Sequence, residues 1–112
     1  MEIIDSKTVQ EAPNAHNVSV RELHSTEHVQ VVMITLQPGE ALKLHLTPVD
    51  AFFYGLEGEG VVEIGGEQQP VQQDQLVVSP ARIPHRLWNE SEAVFRFLVV
   101  KTPRQTEKSR LL

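Results

Sequence analysis

The chain has 112 residues, is 40% apolar and carries a net charge of −5. That length sets a single domain with one small core, and the acidic balance argues against a nucleic-acid partner. It has no cysteine, which removes a disulfide framework and a thiolate metal site.

Residues 1–15 open with Met1-Glu2-Ile3-Ile4-Asp5-Ser6-Lys7, which lacks the basic and apolar regions of a secretory signal. No apolar run approaches the ~20 residues that span a bilayer. A cytoplasmic protein with no membrane partner is therefore expected. The Ile3-Ile4 cluster, with a breaker at Pro13, predicts an extra edge strand, paired within the domain or with a second copy.

Short β-prone runs follow, with no sustained helical period. The predicted strands are residues 18–23, 29–36, 42–46, 52–56, 61–64, 75–78, 85–88 and 94–101, so the core runs over about 18–102. Turn residues separate them: Pro38-Gly39, Gly58-Glu59-Gly60, Gly65-Gly66, Ser79-Pro80 and Asn89-Glu90-Ser91. Gly65-Gly66 suits the positive φ angles of a tight hairpin. Strands this short and this many predict a β-sandwich or barrel. Residues 103–112, polar after Pro103 until Leu111-Leu112, predict an exposed tail, partly helical.

Strand alternation adds a partner. In residues 29–36, Val31 and Met33 face one way and Val32, Ile34 and Leu36 the other, so both faces are apolar. A lone barrel keeps its outer face wet. A cover is expected over that face, from the second sheet, the N-terminal segment or a partner subunit, and a homodimer is the favoured one.

Two histidine frames carry the chemistry. The first is Gly39-Glu40-Ala41-Leu42-Lys43-Leu44-His45-Leu46-Thr47, followed by Asp50-Ala51 and Leu56-Glu57-Gly58-Glu59-Gly60. The second is Pro80-Ala81-Arg82-Ile83-Pro84-His85-Arg86-Leu87-Trp88-Asn89. Together they resemble the two motifs of the cupin superfamily, over about residues 30–102. Gly39, His45 and Gly58 match the first motif; Pro80, His85 and Asn89 match the second. The resemblance implies an all-β double-stranded β-helix, a small jelly-roll barrel with its site inside.

Family members with the full ligand set hold a divalent metal with three His and one Glu. Here Thr47 stands at the second His position, Ala51 at the Glu position, and Asp74 and Arg82 at two Gly positions. His45 and His85 are the metal ligands the resemblance leaves, for Zn, Ni, Fe, Mn or Cu. Two imidazoles alone bind a divalent ion weakly, without charge compensation. Asp50, next to Ala51, would point away from the site by strand alternation. A weak metal site and a metal-free, hydrogen-bonded pair both remain open.

The replacements also make room. Ala51, Phe53 and Gly55 share the inward face, and Thr47, Ala51 and Gly55 are small. A small-molecule pocket is expected there, with Phe53 and Leu87 as walls; the opposing outcome is that Phe97 or Met33 collapses between the histidines. Arg82, at a Gly position, predicts a reshaped turn, and with Arg86 it offers either an anion-binding edge or plain surface charge. His24 and His28 flank a loop, and His16 in its polar loop carries no signal. Trp88 is read as packing. The superfamily includes enzymes and purely binding proteins. Three functions follow: small-molecule binding with a weak metal, a metal-dependent oxygenase or isomerase, or an interaction module with a vestigial cavity.

Overall fold

The computed structural model describes all residues 1–112. Ten strands follow a single 3-10 turn at Ser6–Thr8. They are β1 (Ser19–Ser25), β2 (Gln30–Leu36), β3 (His45–Leu46), β4 (Asp50–Glu57), β5 (Glu59–Ile64), β6 (Glu67–Gln72), β7 (Leu76–Ser79), β8 (His85–Trp88), β9 (Phe95–Thr102) and β10 (Arg110–Leu111). They form two five-stranded antiparallel sheets, in the orders β1-β2-β9-β4-β7 and β10-β3-β8-β5-β6. The chain crosses repeatedly from one sheet to the other, so the two sheets close over one core.

That core is written by alternation. Val32, Ile34 and Leu36 from β2, Phe95, Phe97 and Val99 from β9, and Ala51 and Phe53 from β4 face inward and are buried. Val62, Val71 and Leu87 meet them from the second sheet. Phe97 packs against Phe95 and edge-on to Phe53, with ring centroids 4.9 and 6.2 Å apart, an arrangement aromatic quadrupoles favour.

Several expectations are corrected. Residues 1–15 form no edge strand within the chain: Asp5 caps the 3-10 turn, and the segment is then tied to β1 by Ala12 N–H donating to Val20 O and Arg21 Nε to Val9 O. The C-terminal segment is mostly exposed, as expected, but it is not helical. Residues Arg110–Leu111 pair with β3 as β10, and Leu112 N–H donates to Leu44 O. β3 would otherwise be an unpaired edge, and pairing satisfies its backbone. The run expected over 42–46 keeps only His45–Leu46 as strand, while Leu42 N–H bonds Leu87 O. β6 is not among the predicted strands: its glutamines and Pro70 hide the period, and only Val71 of it is buried. Pro70 is tolerated because β6 is a sheet edge. Arg82 does not reshape its turn. It adopts φ +63° itself, and its N–H donates to Thr47 O.

Candidate functional site

β3 and β8 are hydrogen-bonded neighbours, and His45 and His85 are register partners across them. The two side chains therefore stand side by side on the inner face. Their Nε2 atoms are 3.0 Å apart and their rings meet edge-on at 4.5 Å. Both are buried, His85 with 3% of its surface exposed. Neither Phe97 nor Met33 lies between them: Phe97 faces Phe53 and Phe95, and the Met33 sulfur receives Arg96 on the outer face.

The partners fix the tautomers. His45 Nδ1 lies 2.7 Å from Lys43 O, a pure acceptor, so Nδ1 carries the hydrogen and Nε2 is bare. His85 Nε2 must then donate to it, and it also lies 3.0 Å from Thr47 Oγ1. That leaves His85 Nδ1 as acceptor for the Ser79 hydroxyl at 2.7 Å. Phe53 packs edge-on to His85 at 5.4 Å.

A third imidazole joins them. His16 Nδ1 accepts from Lys43 N–H at 2.9 Å, and its ring lies 4.8 Å from that of His45. The Lys43 peptide thus anchors two histidines, one through its N–H and one through its carbonyl. Asn14 holds the His16 loop: its Oδ1 accepts from His16 N–H, and its Nδ2 donates to Val18 O. Burial, above all, keeps these rings neutral. It pushes His85 and His16 down to about 4, with the neighbouring positive charges adding to it, and it lowers His45 against the opposing pull of the Lys43 carbonyl.

The rings face a cavity of about 240 Å³. Thr47, Ala51 and Phe53 line it, beside Val32, Ile34 and Val99. Gly55 and Leu87 do not. Leu87 is fully buried in the core. A β-carbon on Gly55 would overlap the Gln72 carbonyl, so this glycine marks a close approach of the β6–β7 turn and opens no space. A wider groove of about 570 Å³ runs between β6 and β7, but it gathers no cluster of titratable groups.

Among the cavity residues that sequence reasoning missed, His16, Ser109 and Lys101 carry the most chemistry. Alternation reveals the last. Phe95, Phe97 and Val99 point inward, so Lys101, two further along β9, does too. It sits between Gln30 on β2 and Ala51 on β4. Elsewhere, Asp50 is exposed and its Oδ1 accepts from Ala81 N–H, away from the histidines. Arg82 is exposed at a separate surface, and Arg86 bonds Glu63 and covers the Trp88 ring at 5.0 Å. His24 and His28 are exposed, and His28 contacts Glu27.

The Nε2 separation alone suits two ligands at about a right angle on one metal, since metal–nitrogen bonds of ~2.0–2.1 Å place such atoms about 3 Å apart. The rest of the donor set does not fit a resident divalent ion. No third His, Cys, Asp or Glu completes a metal-binding group, and Thr47 offers only a neutral hydroxyl. The Glu position of the superfamily is Ala51, and its cross-strand neighbour is an inward lysine. A cation would meet positive charge where its counter-charge belongs.

Two sheets closed over an internal histidine cavity define a double-stranded β-helix barrel. Residues 32–101 match the cupin domain family, and the chain belongs to it. The TT1209 protein of Thermus thermophilus superposes with a TM-score of 0.80 and 33% identity, covering 93% of this chain and 99% of that one. The polyketide cyclase RemF of Streptomyces resistomycificus shares the fold, with a TM-score of 0.84 at 20% identity over 100% of this chain and 85% of that one. Auxin-binding protein 4 of Zea mays is 28% identical over 78 residues, 62% of this chain; the match spans only 38% of that protein.

Proposed function

We propose that this chain is a small-molecule-binding cupin, whose ligand occupies the cavity beside His45, His85 and His16. One observation carries the reading: the cavity is lined by both hydrogen-bonding groups and apolar side chains, and neither Phe97 nor Met33 fills it. The auxin-binding relative, by its name, is also a binder of a small molecule. A panel of small organic molecules should contain at least one that raises the melting midpoint of the wild type, because a ligand of the native state stabilises it. The same compound should leave Ala51→Leu, whose added side chain fills the cavity, unmoved.

A metal-dependent oxygenase or isomerase is the competing reading, favoured by the 3.0 Å Nε2 pair. The donor set argues against it, and elemental analysis separates the two. Purified wild type should carry no more Zn, Ni, Fe, Mn or Cu than a His45→Ala/His85→Ala double variant. One equivalent of metal per chain, lost in the variant, would replace the binding reading with the metalloenzyme one.

We further propose that a second copy covers the outer face of the first sheet. Cross-strand register builds two apolar rows there, Val31-Val100-Phe52-Val78 and Met33-Leu98-Tyr54-Leu76. None of the eight side chains is charged; Met33 is already buried beneath Arg96, and the exposed apolar surface concentrates on β7, where Val78 and Leu76 are 70% and 52% exposed. A two-fold dimer sets the same patch against itself, and the exposed Ile3 and Ile4 add apolar surface to be covered. Sedimentation equilibrium should give a dimer for the wild type and a monomer for Val78→Asp. A wild type that stays monomeric at all concentrations rules this out.

A further inference from the structure

We infer that the cavity takes a small organic acid, its carboxylate received by the inward ammonium of Lys101 and its apolar body by the apolar side chains beside that lysine on the same sheet. The inference rests on the small-molecule-binding reading above and names the ligand's chemical class.

Lys101 is the observation the fold leaves unexplained. β9 is otherwise a core strand, and its inward positions before Lys101 are Phe95, Phe97 and Val99. A lysine at the next inward position costs desolvation and contributes nothing to packing that a methionine would not. Its Nζ donates to the neutral amide oxygen of Gln105 at 2.8 Å and makes no ion pair. Glu22 is the one carboxylate on the cavity lining. It is exposed and accepts from Gln30 Nε2 at 2.9 Å; its charge partly offsets the burial that lowers Lys101, but no salt bridge joins the two. Ala51, the direct cross-strand neighbour of Lys101, withholds both charge and bulk.

The other polar groups suit an anion equally. His16 Nδ1 is occupied as an acceptor, so the neutral ring's Nε2 carries the hydrogen and is a donor. Ser109 adds a hydroxyl on the same lining. The field of Lys101 reaches all three imidazoles and helps hold each below its ordinary value; an anion at the ammonium would relieve that field. Size and polarity complete the description. About 240 Å³ holds roughly eight water volumes, which is a molecule of on the order of ten non-hydrogen atoms. Val32, Ile34, Val99 and Phe53 give it an apolar wall. The fitting class is a monocarboxylate with a compact aromatic or branched body.

The probes are benzoate, phenylacetate and cyclohexanecarboxylate, each beside its neutral primary amide, with inorganic phosphate as a free-anion control. Calorimetric titration and thermal shift are read on wild type, Lys101→Met, Lys101→Arg and Ala51→Leu. At least one acid should bind the wild type at least tenfold more tightly than its amide and than phosphate. Lys101→Met should lose that preference while melting no lower than wild type, and Lys101→Arg should retain part of it. Ala51→Leu should bind none of the probes. Amides binding as tightly as acids, or acids binding Lys101→Met as they bind wild type, would overturn the assignment to Lys101 and leave the cavity reading standing. Phosphate matching the acids would show a simple anion site and overturn the organic-acid class. Failure of every acid and every amide to bind wild type would overturn both readings.

Discussion

Between pH 6.5 and pH 4 the protein should lose about 3 kcal/mol of stability through His85 alone. Its imidazole is held at about 4 in the fold, against 6.5 unperturbed, and each unit of difference corresponds to about 1.4 kcal/mol. The sign follows from linkage. The folded state favours the neutral ring, so in this window the unfolded chain binds more protons and stability falls as the pH drops. The contribution is fully present above about 6.5 and is exhausted below about 4. His16 acts in the same direction, also held at about 4, but it is only half-buried and solvent screening reduces its share. Glu63, lowered by its bonds to Gln68 and Arg86, adds an acid limb that begins near its ordinary value of 4.5, at the foot of this window, and continues below it. Urea midpoints measured at intervals from pH 8 to pH 4 should show the slope in wild type and a shallower one in His85→Gln. An identical slope in that variant would assign the loss elsewhere. The same slope carries functional information, because the neutral His45–His85 pair is the state that lines the cavity.

Gly55→Ala should cost about 3 kcal/mol or more, an overpacking penalty. A β-carbon at Gly55 meets the Gln72 carbonyl and the Gln73 backbone, and neither yields as a flexible side-chain end would. The turn it would displace is itself held: Gly55 N–H donates to Gln75 O, and Asp74 N–H donates to Gly55 O. If Gly55 instead opened space in the cavity, alanine would be tolerated and would weaken ligand binding. Chemical denaturation and ligand titration of the one variant distinguish these cases. A loss of stability with unchanged cavity binding in the residual folded protein supports the close approach; wild-type stability would refute it.

The residues that proved legible and those that did not differ in a specific way. His45 and His85 stand out from frames of neighbouring residues, and β-sheet register then brings them together. Thr47, Ala51 and Phe53 follow from spacing and alternation, and all three line the cavity. Gly55 falls on the correct face, yet alternation does not say what lies opposite a face. Lys101 is accessible to the same period-two reading that finds Phe95 and Phe97, but a charged residue at the end of a strand is ordinarily read as solvated. His16 has no local signal at all. Its place beside His45 depends on the Asn14 loop and on Lys43, distant in the chain. Ser109 reaches the site only because β10 pairs with β3.

By itself the sequence determined the all-β class, because apolar alternation and turn residues act over a few positions and fix which face is buried, and its resemblance to the cupin motifs implied the barrel and pointed to a candidate site. It also placed two imidazoles in motif positions and emptied two others. Only the tertiary structure decided what that site is. Closing the two sheets brought an N-terminal histidine, an inward lysine and a C-terminal strand to one cavity, and electrostatics there depends on distances across the barrel. A site that the motifs describe as half a metal centre becomes, with Lys101 beside Ala51, an interior short of negative charge.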